Sequence, residues 1–401
     1  MINFFQQIEK KAFSIVWFFS LVFLSFNISN VSQLYFDEQH YIPAAMDWLK
    51  NIPTTNLEHP PLAKLLMAAS IKFFGNNSMG WRFPSALLGS LAIFFLMKIS
   101  SLIFKDKKLA LMIGFFTLSN FWIYIFSRVA LLEIYFVSFS LAGIYYALNA
   151  EIKKNKRNFF VAGFFWGLAV ASKWSALILL LPFMLTLLIK RKWQSVPVFI
   201  ISGVTYFVTF LPYFYTKTVL HRSFKQIFFD LPLEMYELQK SVSGSHPYQS
   251  EWYTWPLMYR PIWFYFEDPV WGDFIKGVLL LGNPLQMLLG LLSVVFLVIK
   301  FFQIEKQSQR VLLFFILTFF IWAVIPRKIS YFYYFFPTAL VYSLLIPICL
   351  REWFGAKKSN YIFLIICLIS FGFFLYFFPL LTGEYIEHKH FQQMMWLKSW
   401  I

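Results

Sequence analysis

Apolar runs long enough to cross a bilayer recur along almost the whole 401-residue chain, broken by short clusters of Lys and Arg. A helix needs roughly twenty apolar residues to span the hydrocarbon core, where every backbone polar group must be satisfied internally. These runs constrain the chain to an all-α polytopic membrane protein before any motif is considered. Charged residues make up only 13% of it, about half the share of a soluble domain. Runs and breaks predict about eleven spans, centred near residues 21, 92, 117, 139, 167, 182, 206, 288, 318, 340 and 369.

A net charge of +16 would suit a nucleic-acid binder if it were gathered on one surface. Instead the cations occupy short loops: Lys10-Lys11, Lys105–Lys108, Lys153–Arg157, Lys190–Lys192, Lys300–Arg310 and Arg351–Lys358. These six segments hold 18 of the 35 Lys and Arg, and with the residues flanking them only five of the 19 acids (Glu9, Asp106, Glu151, Glu305 and Glu352). That is the positive-inside pattern, so the N-terminus is expected in the cytoplasm and, with an odd number of spans, the C-terminus outside. No nucleic-acid partner is expected. The run at 12–30 lacks a small-residue cleavage site and reads as a retained helix. Cys349 and Cys367 both fall in expected spans and read as packing residues, not as a disulfide or metal pair.

Two outer segments, 31–80 and 216–276, are too long to be turns and mix charge, proline and aromatic residues. Loops of that length in a compact protein are usually functional. Within the first, AAMDWLKN predicts an interfacial amphipathic helix. No soluble domain, repeat or low-complexity linker interrupts residues 1–401, which read as one membrane-embedded domain.

The first outer segment opens with Asp37-Glu38, and Glu58-His59-Pro60-Pro61 follows about twenty residues later. Alone, the first pair could be solvated loop acids. A loop stiffened by two prolines can instead return both acidic groups over one pocket, suited to general-base work or to a divalent cation held by Asp37, Glu58 and His59. Arg128 and Glu133 stand five apart, a poor spacing for one helix face. Arg128 either snorkels to headgroups or holds a lipid phosphate. Lys173 is either an interfacial anchor or a phosphate contact. His246 and Arg260 lie in the Trp- and Tyr-rich stretch 246–269, which reads as an aromatic belt or as a platform for sugar rings and a peptide. Arg327 and Lys328 are placed outside, against the charge trend, as an anionic ligand would require. No Gly-rich phosphate loop, HExxH or Ser nucleophile motif is present. A transporter would place ionisable groups near the midplane, often in two related halves; here they gather at one face.

The segments YFDEQHYIPAA, LEHPPLAKLL, GWRFPSALLGSLAI, SRVALLEIYFV and GLAVASKWSAL, followed by WPLMYRPIWFY, LGNPLQMLLGLL and YFYYFFP, occur in this order over residues 35–345. Together they resemble the protein O-mannosyltransferase family, in its bacterial form without a soluble carbohydrate-binding-like domain. The resemblance implies a C-type membrane glycosyltransferase (GT-C) fold of eleven helices with the same orientation that charge predicts. It implies inverting transfer of mannose from a polyprenyl-phosphate-mannose to Ser/Thr hydroxyls. The setting is a bacterial inner membrane with its active site facing the periplasm or exterior. Asp37 is then the catalytic base and Glu38 its acidic neighbour. Arg128 would hold the donor phosphate, with Lys173, Arg260 and Arg327 as further cations at the donor. Glu58, His59, Glu133 and His246 would stand at the acceptor or behind the reacting groups. Glu133 occupies a position where aspartate is more usual, and the resemblance requires no metal. The same donor chemistry with a lipid A or surface-glycan acceptor is the alternative.

Overall fold

The chain, described here by a computed structural model covering residues 2–54, 56–190, 192–219, 222–241, 246–268, 272–325 and 328–401, is mostly helical. Its first eight helices are α1 (Ile2–Ser25), α2 (Glu38–Lys50), α3 (Leu62–Phe74), α4 (Ser78–Phe104), α5 (Lys107–Leu118), α6 (Phe121–Phe126), α7 (Leu132–Lys153) and α8 (Arg157–Ser172). Among the described residues, three helical stretches are long and apolar enough to cross a membrane: Ser78–Phe104, Val196–Tyr215 and Tyr342–Thr382. The last two expected spans fall along Phe336–Ala339 and Tyr342–Thr382. Gly355 (φ 73, ψ 167) turns the chain between the two halves of that long helix, a left-handed position suited to glycine.

Two compact units interleave along the chain. One comprises Met1–Val16, Ile103–Ile125 and Gly244–Ile401, the other Trp17–Leu102 and Phe126–Ser243. The second carries both acidic stretches of the first outer loop. There AAMDWLKN falls at the C-terminal end of α2, as expected. The helix buries Glu38, Tyr41, Ile42, Ala44, Ala45 and Trp48 while leaving His40, Leu49 and Lys50 exposed. Asn51 ends it in the left-handed region (φ 56) and accepts the backbone N–H of Lys217 at 2.6 Å. Thr54 N donates to Thr218 O at 3.0 Å, and Gln239 Nε2 to Glu58 O at 2.6 Å. These bonds join residues 51–58 to residues 217–239.

The other unit holds the part of the fold that the helical reading lacks. Strands β1 (Ile262–Glu267), β2 (Phe274–Leu280) and β3 (Tyr385–Glu387) form an antiparallel sheet in the order β1-β2-β3. Its first strand is IWFYFE, aromatic residues with high strand propensity that also suit an interfacial belt, which is why composition alone did not separate the two. Below it, Asn283 Nδ2 donates to the carbonyls of Ser119 (3.1 Å) and Ser370 (3.0 Å). Gln286 Nε2 donates to Phe116 O at 2.9 Å and Ser370 Oγ at 2.8 Å. This satisfied polar knot ties three helical segments where unpaired groups would be costly.

Helices α7 and α8 meet so closely that a Cβ on Gly143 would stand 2.0 Å from the Trp166 ring, which is fully buried. Gly143→Ala should therefore destabilise by about 1–3 kcal/mol, read as a lowered melting temperature of purified protein. Gly203→Ala, where nothing lies within 4 Å, should leave melting unchanged or raise it. Equal melting for both variants would contradict the close packing.

Candidate active site

The two acids at the start of α2 have different fates. Glu38 is fully buried and receives four donors. Arg82 Nε reaches Oε1 at 2.8 Å and Nη2 reaches Oε2 at 2.8 Å. Ala130 N reaches Oε1 at 2.8 Å and Tyr35 N reaches Oε2 at 3.3 Å. Arg82, 1% exposed, gives its remaining N–H groups to the carbonyls of Ile28 (3.1 Å), Val31 (2.5 Å) and Gln33 (2.8 Å). All five guanidinium N–H groups are thus used, and the Tyr35 ring lies 4.9 Å from the Arg82 carbon. Glu38 is thus held in place, and Arg82, which motif reading passed over, is its partner. The available signal was an arginine entering an otherwise apolar run, which demands an anion.

Asp37 sits at the N-cap of α2, where its carbonyl accepts from His40 N and Tyr41 N, but its side chain makes no capping bond. The half-buried carboxyl is pushed up to about 6 by burial, with Glu133 adding to the effect and Lys173 and His40 opposing it. Lys173 and Glu133 form an ion pair at 2.5 Å, each 5% exposed. Glu133 lies in the first turn of α7, where the helix dipole favours a carboxylate. Lys173 follows α8 in extended backbone (φ −161, ψ 135). Asp37, Glu133 and Lys173 therefore form one electrostatic group built from three segments.

Arg128 and Glu133, whose spacing suits no shared helix face, have different described partners. Arg128 precedes α7, and its guanidinium donates to the carbonyls of Leu24 (3.0 Å), Phe26 (2.5 Å) and Asn27 (2.6 Å). It closes the C-terminal end of α1, where carbonyls lack helical partners and a cation is favoured. These are the described hydrogen bonds of Arg128, while Lys173 is the cation whose charge is felt at Asp37.

Glu58 and His59 lie between α2 and α3, where the His59 ring meets Tyr41 edge-on at 6.0 Å. Lys64, fully buried on α3, donates to Asn56 O (2.6 Å), Asn56 Oδ1 (3.2 Å) and His59 O (3.0 Å). Burial pulls its amine down to about 7, and Glu58 opposes the shift; three acceptors match the three N–H groups of the ammonium form. The metal set Asp37, Glu58 and His59 is not assembled. Among the described residues no group of three or more His, Cys, Asp or Glu side chains is arranged to hold an ion.

Arg260 and His246 belong to the other unit. Arg260 donates through Nε (3.0 Å) and Nη2 (2.8 Å) to Pro247 O, bracing the turn. His246 is exposed, accepts Tyr248 N at 3.2 Å and meets the Tyr331 ring at 5.2 Å. Ser250 N and Ser330 O pair at 3.0 Å, which joins this turn to the segment after the exposed Lys328. Arg327 lies outside the described residues.

The sequence profile described as dolichyl-phosphate-mannose-protein mannosyltransferase matches residues 58–215, and that of the C-terminal four TMM region of protein-O-mannosyltransferase matches 224–400. The chain is 26% identical to a polyprenol-phosphate-mannose–protein mannosyltransferase of Corynebacterium glutamicum, covering 91% of this chain and 88% of that protein. The protein of that name from Mycolicibacterium smegmatis is 25% identical over 91% of this chain and 87% of its own length. Among solved structures, the S. cerevisiae Pmt1-Pmt2 complex bound to the sugar donor superposes with a TM-score of 0.82, at 13% identity, over 98% of this chain and 92% of that one. ArnT from Cupriavidus metallidurans bound to undecaprenyl phosphate gives 0.64 at 14% identity, over 96% and 78%. Both superpositions show the GT-C fold.

Removing one partner of the Glu38–Arg82 pair strands a buried charge. Glu38→Gln and Arg82→Met should each cost about 3–5 kcal/mol, read by thermal unfolding in detergent. Asp37→Asn should behave oppositely. A carboxyl raised to about 6 binds protons more readily folded than unfolded, so it detracts from stability as pH rises through about 4 to 6. At pH 7 the Asn variant should melt at the same temperature or higher; a fall of several degrees would show Asp37 to be structural.

Proposed function

Because the chain belongs to the dolichyl-phosphate-mannose-protein mannosyltransferase family, we propose that it moves mannose from polyprenyl-phosphate-mannose to Ser and Thr hydroxyls of proteins, with Asp37 as the general base. The hydroxyl oxygen attacks the anomeric carbon as its proton passes to the Asp37 carboxylate. The carbon–oxygen bond to phosphate breaks, and polyprenyl phosphate leaves with the electron pair. A single displacement inverts the anomeric centre and needs no covalent enzyme intermediate.

The observation that carries this reading is the state of Asp37. It is a helix N-cap whose carboxylate is not used for capping, and burial with Glu133 nearby brings its affinity for a proton toward neutrality. General-base efficiency is greatest when the base titrates near the working pH. Lys173, held by Glu133 at 2.5 Å, supplies the positive charge that offsets the anion on the departing phosphate. Glu38, locked to Arg82, fixes the first turn of α2 and so the direction of the neighbouring base.

The charge pattern supports eleven spans, a cytoplasmic N-terminus and a catalytic face on the periplasmic or exterior side of an inner membrane. A protein acceptor is preferred to lipid A or a surface glycan. The relatives that cover 91% of the chain are named protein mannosyltransferases, whereas the likeness to ArnT at 14% identity is one of fold.

Purified protein in lipid nanodiscs, supplied with polyprenyl-phosphate-mannose and a Ser/Thr peptide, should yield mannosyl-peptide detectable by mass spectrometry. Asp37→Asn should lower turnover by about a hundredfold or more, and near-normal turnover would remove Asp37 from the mechanism. The wild-type rate should fall as pH drops through about 6, because the protonated carboxyl cannot accept a proton; a flat profile would contradict it. Lys173→Met should slow transfer at saturating acceptor.

A further inference from the structure

The Glu58 carboxylate lends its charge to buried Lys64, but one of its oxygens is left without a hydrogen bond. Among the described residues its Oε2 is buried and meets no hydrogen-bond donor. The polar neighbours pass it by. Lys64, whose electrostatics register Glu58, gives all three of its N–H groups to Asn56 and His59. Gln239 Nε2 donates to the backbone carbonyl of Glu58, not to its side chain. Neutral groups such as Trp48 Nε1 and Tyr213 OH are also buried without partners, but an unmatched carboxylate oxygen is costlier than an unmatched indole or phenol. Such a group persists where a ligand completes it.

Its location says which ligand. Asp37 and Tyr41 lie one turn apart on α2, and Tyr41 meets His59, the neighbour of Glu58, at 6.0 Å. Glu58 as a residue is only half-buried, and the terminal torsion of a Glu side chain is soft, so its carboxylate can turn toward a molecule at the base. The acceptor hydroxyl is already taken by Asp37. What else must stand there is the transferred pyranose, whose remaining hydroxyls are donors. We propose that Glu58 accepts a hydrogen bond from a ring hydroxyl of the sugar carried by the lipid donor, and so helps select which sugar is transferred. This rests on the functional reading above and extends it to the recognition of the donor's sugar.

The test compares two lipids on the full-length protein in nanodiscs: polyprenyl phosphate, and the same lipid bearing mannose. Glu58→Ala should bind bare polyprenyl phosphate as wild type does, yet lose about tenfold or more in affinity for the mannosyl lipid. Glu58→Asp should recover part of the loss. Melting of Glu58→Gln should fall only slightly, since the charge beside Lys64 is lost but no hydrogen bond to Oε2 is removed. Equal weakening for both lipids, unchanged affinity for both, or a change confined to the acceptor KM would each overturn the assignment. Wild-type protein that transfers nothing from the mannosyl lipid would overturn the functional reading and this assignment with it. Wild-type transfer with unaltered binding in Glu58→Ala would overturn this assignment alone.

Discussion

The fork between Arg82 and Glu38 is the interaction on which the catalytic region depends. An arginine 1% exposed at the start of an apolar helix is tolerated only when every N–H finds an acceptor and the charge finds an anion. Here the five N–H groups gather the carbonyls of residues 28, 31 and 33 and both oxygens of Glu38. The exit from α1, the start of α2 and the backbone at Ala130 are thereby held to one guanidinium. Adjacent residues on a helix point about 100° apart, so anchoring Glu38 inward turns Asp37 away from that network. One acid is immobilised, and the next keeps its side chain out of the helix cap.

The cations of this unit divide by the geometry of their heads. Arg82 and Arg128 use a planar fork to collect several carbonyls at once, which suits closing loops and helix ends. The two lysines act as compact charges. Lys64 is enclosed by three acceptors and braces the turn after Glu58. Lys173 is set against Glu133 next to Asp37, where the two partners pull the base in opposite directions. Asp37 is thus raised first by burial, with Glu133 adding to the shift and Lys173 opposing it. That arrangement keeps the net local charge small.

Much of the fold was legible because membranes impose a simple rule on long apolar runs. The helical character and the amphipathic helix over AAMDWLKN follow from run length and alternation of residue type. The sheet did not, because β1 is aromatic-rich, β2 (FIKGVLL) is a short apolar run, and β3 comes from residues 385–387, more than a hundred positions later. Local composition carries no record of such pairing. Gly355 is similar: the glycine is visible, but that it turns the chain within a long apolar run depends on its φ of 73°.

The site divides along the same line. Sequence alone pointed to a polytopic membrane enzyme, set Asp37-Glu38 and Glu58 in one long loop, and singled out Asp37 as the residue to watch. Those conclusions rest on residue type and order, which run length and charge distribution expose directly. Tertiary structure alone decided the partners. Glu133 meets Lys173 across 40 positions, Glu38 meets Arg82 across 44, and Arg128 turns to α1. The reason is that a buried charge is matched by whatever packing brings within about 3 Å, and distance along the chain does not encode that choice.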